Sequence, residues 1–118
     1  MVLKNIWGNC REEGYFRKKV YLDKKPKSAF VRIFADTGYE LFLNGRFVAG
    51  VDEWCNTRDY NVRIFLKEGV NQIAVHGINH GGHRGMALEL VADGETKAVT
   101  DAGWKAAPRE YWGWMLES

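Results

Sequence analysis

Several things are scarce in this 118-residue chain, and each scarcity excludes something. There are only two cysteines, Cys10 and Cys55, too few for a disulfide framework. No apolar run approaches the roughly 20 residues of a membrane-spanning helix. Neither sign of charge is in excess: 17 Lys and Arg oppose 15 Asp and Glu, giving a net charge of +2. That balance gives no reason to expect nucleic acid or an anionic membrane as a partner. No segment keeps a 3.6-residue apolar period over a helix length, which argues against a helical bundle. Internal repeats and low-complexity linkers are also missing, so the expectation is one domain over residues 1–118. A chain of this length buries roughly 60–70% of its unfolded surface, enough for a core without staples. The first residues, MVLKNIWGNC, lack the apolar stretch of a signal peptide. The expectation for localisation is therefore open between cytoplasmic and, for a piece cut from a longer secreted protein, extracellular.

What the chain does have is aromatics and turns. It holds five Trp, five Tyr, six Phe and thirteen Gly, while Pro is scarce at two. That suits an all-β domain with many short connections. YFRKKVYL (15–22) alternates, with Phe16, Val20 and Leu22 on one side and Arg17 and Lys19 on the other. SAFVRIFAD (28–36) is apolar on both faces, as in a central strand. YELFLNGRFVAG (39–50) is a hairpin around Asn44-Gly45, the strongest short turn signal there is. RDYNVRI (58–64) reads as a short strand, and FLKEGV as a turn with room for one helical turn. NQIAVHGIN (71–79) is a strand with Ile73 and Val75 on one side and His76 on the other. GMALELVADGETKAVT (85–100) is a second hairpin, turning at Asp93-Gly94. About eight strands at hairpin spacing predict a β-sandwich of the jelly-roll kind.

Strand direction then sorts the loops. With successive strands antiparallel, the turns at 44–45, 64–70 and 93–94 fall at one end. The loops 10–14, 36–39, 50–58, 79–85 and 101–104 fall at the other. The chemically rich loops thus share one end, and β-sandwiches carry binding on such loops.

The segments YFRKKVYLDKKPKSAFVRIFADTGYELFLNGRFVAG, TRDYNVRIFLKEGVNQIAVHGIN and DAGWKA carry a resemblance. They are similar to the galactose-binding-like jelly-roll modules appended to glycoside hydrolases, in particular to the non-catalytic N-terminal domains of α-L-rhamnosidases and related enzymes. The similarity runs over about residues 6–106. Its most specific parts are A-D-x-x-Y-E-L-x-L-N-G and Y-x-V…L-x-x-G-x-N-x-I-A-V, which are structural signatures. The resemblance implies the fold and a non-catalytic accessory role, next to a catalytic domain in the same or another chain. Some such modules bind sugars, some with calcium, and others only brace a catalytic domain.

Trp54 lies in the polar loop GVDEWCNTRDYNV. Two readings are open: it folds over the open end of the sandwich, or it offers a flat face to the C–H groups of a pyranose. Around it, Asp52, Glu53, Asn56 and Arg58 have the donors and acceptors that sugar hydroxyls need. Arg58 is also part of the fold pattern, and Asp36 suits a turn-capping role at 36–39. In NHGGHRG (79–85) the glycines let the backbone approach a ligand closely, and Asn79, His80, His83 and Arg84 project from it. With His76 the spacing is H-x3-H-x2-H, a superficial zinc pattern; His76 sits on a strand and the others on a loop, so common coordination is not expected. The expectation is no cofactor, with calcium held by Asp52, Asn56 or backbone oxygens as the alternative.

Other groups carry less. Cys10 and Cys55 fall at the same end by strand count, which leaves pairing open. Asp36, Asp52 and Glu53 supply the carboxylates a small glycosidase needs, but shallow loops do little to exclude water. The basic run FRKKVYLDKKPK reads as an outward face with Lys guarding an edge. Tyr111, Trp112 and Trp114 either close the sandwich against Trp7 or dock a partner domain. The sequence thus predicts an all-β sandwich whose ligand is carbohydrate, without enzymatic activity. The alternatives are a bracing or protein-interaction domain and a small glycoside hydrolase.

Overall fold

Among the described residues, segments of alternating polarity pair into nine strands. The structure is a computed structural model and describes residues 13–36, 38–51, 57–78, 85–100 and 105–107. The strands are β1 (Glu13–Leu22), β2 (Ala29–Asp36), β3 (Gly38–Leu43), β4 (Arg46–Val51), β5 (Arg58–Asn61), β6 (Gly69–Ile78), β7 (Gly85–Ala92), β8 (Glu95–Val99) and β9 (Lys105–Ala107). They form two antiparallel sheets. One has the order β4-β3-β6-β1-β9 and the other β5-β2-β7-β8.

The core lies between the two sheets. Phe16, Leu41, Leu43, Ile73 and Val75 come from the five-stranded sheet, and Val31, Ile33, Met86, Leu88 and Leu90 from the other; all are fully buried. Burial of each such side chain stabilises the fold by roughly 1.5–3 kcal/mol. The expected facing is observed: Phe16, Val20 and Leu22 point inward with Ile73 and Val75, while His76 points outward. SAFVRIFAD forms an internal strand, β2, flanked by β5 and β7.

Three details differ from the sequence reading. The 58–64 strand stops at Asn61, and Arg63–Phe65 form a 3-10 turn. Asn61 Oδ1 accepts the Arg63 N–H at 3.2 Å, a local side-chain bond that ends the extended conformation. β6 starts two residues earlier than expected, at Gly69. The short β9 pairs with β1 opposite residues 15–17. Among the described strands, β9 flanks β1 only opposite Tyr15, Phe16 and Arg17.

Both predicted hairpins are present, and the turn residues have the backbone that such turns demand. Asn44 and Gly45 have φ of 53° and 78°, and Asp93 and Gly94 have 50° and 78°. Two consecutive positive values suit the two-residue turn that matches strand twist. Asp93 also ties its hairpin to the β1–β2 connection, since its Oδ1 accepts the N–H groups of Lys27 and Ser28 at 2.9 and 3.1 Å.

Candidate functional site

The registers decide which strand ends lie together. Glu13 and Gly38 both pair with Ile78, and Tyr39 pairs with Val51. In the other sheet Asp36 pairs with Gly85, and Ile33 with Arg58. The strand ends flanking 37, 52–57 and 79–84 therefore lie at one end of the sandwich. Each of these three connections joins one sheet to the other. The opposite end holds the two tight hairpins.

Most of the expected ligand-binding side chains fall outside the described residues: Asp52, Glu53, Trp54, Asn56, Asn79, His80, His83 and Arg84. The same is true of Cys10, Cys55, Trp7, Tyr111, Trp112, Trp114 and the 101–104 segment. Arg58 is described. It opens β5 at this end and is exposed. Its neighbour Asp59 faces Arg32 on β2. It forms a two-pronged pair with Arg32, Nε to Oδ1 at 2.9 Å and Nη2 to Oδ2 at 3.1 Å. The Asp59 carboxylate, through its hydrogen bond and its charge, raises the Arg32 pKa further.

Beneath this end two tyrosines link the sheets. Tyr39 on β3 is fully buried, and its hydroxyl lies 2.6 Å from that of Tyr60 on β5. The rings meet edge to face with centroids 6.4 Å apart. In the sequence Tyr39 stands only as the first residue of the 39–50 hairpin, with nothing local to pair it with Tyr60.

On the outward side, one cross-strand row was not foreseen. Glu40, His76 and Tyr15 stand directly opposite one another on β3, β6 and β1. His76 Nδ1 lies 2.8 Å from Glu40 Oε1, and its ring stacks on Tyr15 at 4.4 Å and 4°. Tyr15 is buried although it points away from the core. His76 is thus engaged by a carboxylate and a ring on its own sheet, and among the described residues no group of three or more His, Cys, Asp or Glu could hold a metal. The signal available for this row was parity: residues 15, 40 and 76 oppose the core-facing set, but only the register brings them side by side.

No protein-family model matches the sequence, and no curated protein sequence is significantly similar to it. Solved structures are similar. The α-L-rhamnosidase of Streptomyces avermitilis, complexed with L-rhamnose, superposes with a TM-score of 0.80 at 27% identity, over 90% of this chain and 11% of that one. A GH78 family rhamnosidase of Bacillus sp. GL1 gives 0.75 at 28%, over 83% of this chain and 12% of that one. The Pleurotus ostreatus lectin in complex with GalNAc gives 0.75 at 28%, over 88% of this chain and 32% of that one. The chain therefore spans a small part of the rhamnosidases and about a third of the lectin. Two antiparallel sheets and these superpositions together make the chain a β-sandwich of the galactose-binding-like jelly-roll kind, similar to a module-sized part of α-L-rhamnosidases.

Proposed function

We propose that this chain is a non-catalytic carbohydrate-binding module, an accessory domain of a glycoside hydrolase, with its sugar site on the loops at one end. The observation that carries this reading is the double likeness: one sandwich resembles a small fraction of sugar-cleaving enzymes and also a lectin in complex with GalNAc. A part common to both kinds of protein is better suited to holding sugar than to cleaving it. A catalytic domain, in the same or another chain, is the partner this reading implies.

In this reading Trp54 is the flat platform. Asp52, Glu53, Asn56, Asn79, His80 and His83 exchange hydrogen bonds with hydroxyls, and Arg58 and Arg84 offer planar forks. Affinity is modest, since a solvent-open site exchanges water hydrogen bonds for protein ones. The test is a glycan array probed with the purified domain, with and without calcium, beside Trp54→Ala. Binding that disappears in the variant supports the reading and names the sugar class. Binding that depends on calcium adds a metal held by the Asp52 loop. Silence across the array overturns the sugar reading and leaves a bracing domain.

A further inference from the structure

A groove lies on the outward face of the four-stranded sheet. Its volume is about 440 Å³, within the range of small-molecule sites, roughly 300–1,000 Å³. The register explains its shape. Asn61, Phe30 and Val91 form one cross-strand row on β5, β2 and β7, and Asp59, Arg32 and Glu89 form the next. Phe30 and Val91 give an apolar floor. Asp59 and Asn61 edge it on one side, and Ser28 and Asp93 edge it on the other. Ser28 and Asp93 belong to the hairpin end of the sandwich, opposite the end where 52–57 and 79–84 leave the sheets.

The chemistry of the rim selects the ligand. The Arg32 guanidinium sits 5.5 Å from the Phe30 ring centroid and grips Asp59 with both prongs, so ring and carboxylate are positioned before anything binds. Asp93 is held by two backbone N–H groups. Two rim carboxylates disfavour an anion. A cation gains little from carboxylates already engaged by Arg32 and by backbone donors. A wholly apolar ligand would strip water from the rim and return no hydrogen bonds. A neutral polyhydroxylated ring satisfies both parts, with its C–H face on Phe30 and Val91 and its hydroxyls on Asp59, Asn61 and Asp93.

We propose that this groove is a second saccharide site, taking one neutral sugar ring, independent of the Trp54 loop. The test is amide chemical-shift mapping of the Trp54→Ala chain with a panel of neutral mono- and disaccharides that includes L-rhamnose and N-acetylgalactosamine. The expected result is saturable shifts at 28–30, 59–61 and 91–94 that persist without Trp54. Asn61→Ala and Phe30→Leu should each weaken them, by roughly tenfold for the lost amide. Panel-wide absence of shifts in those three segments overturns the proposal, and so does an affinity that neither variant changes. Failure of the Trp54 reading looks different: there the intact chain and Trp54→Ala respond alike.

Discussion

Asn44 and Asn71 bond to each other, Nδ2 to Oδ1 at 2.9 Å, and together satisfy the backbone of three separate segments. Asn44 also donates to the Phe65 carbonyl at 2.8 Å and accepts the Gln72 N–H at 2.9 Å. Asn71, fully buried, accepts the Lys67 N–H and donates to the carbonyls of Lys67 and Gly69. The asparagines of L-N-G and G-x-N are thus one polar knot joining a hairpin, a 3-10 turn and a strand. Removing one strands buried partners, each costing about 1–3 kcal/mol. Asn71→Ala should lower stability by about 3 kcal/mol or more in urea unfolding. Asn44→Gly keeps the turn backbone but loses the knot, so it should cost a comparable amount.

The Tyr39–Tyr60 pair allows a narrower test. Tyr60→Phe keeps the ring and its edge-on contact and removes one hydroxyl from a 2.6 Å bond. The fully buried Tyr39 then loses that partner. The expected cost is about 1–2 kcal/mol in denaturant unfolding, with the spectrum of the native state unchanged. A value near zero would mean that another group takes over the Tyr39 hydroxyl.

How much of this was written in the sequence depends on range. Alternation in 15–22 and 71–79 and the dipeptides Asn44-Gly45 and Asp93-Gly94 are local signals, and all four gave the right element. Counting strands also assigned 36–39, 50–58 and 79–85 to one end, and the registers agree for the strand ends that flank them. Three kinds of feature escaped. β9 is three residues, KAA, too short to alternate. The stop at Asn61 depends on one side-chain bond to Arg63. The Glu40–His76–Tyr15 row and the Asp59–Arg32 pair depend on register, which joins residues 27 to 61 positions apart. Of the expected binding residues only Arg58 lies among the described ones.

Acid should act through Asp93. Its carboxyl is held below the usual value near 3.8, chiefly by the Ser28 N–H, then by the Lys27 N–H, with the charges of Lys24 and Lys27 adding to them. Loss of hydration opposes these effects. A carboxyl whose native pKa is depressed gives its full stabilisation above the unfolded-state value and loses it as pH falls through the native value. Asp93→Asn has no such charge to lose. Urea midpoints followed from neutral pH into the acid range should fall less steeply for the variant, the two curves differing chiefly below the ordinary carboxylate pKa. Parallel curves would show that Asp93 contributes nothing to acid sensitivity.

Trp54 is the sharpest test because its two roles differ in sign on two readouts. A plug removed from the mouth of a sandwich leaves a cavity, and a Trp→Ala change of that kind costs about 3–5 kcal/mol. A surface platform removed from a polar loop changes stability by about 0.5 kcal/mol or less. In the platform reading, Trp54→Ala should unfold at nearly the same urea concentration as the parent and bind none of the glycans that the parent binds through this loop. A variant that loses stability and binding together would place Trp54 in the core, and the search for a ligand would move to the Phe30 groove.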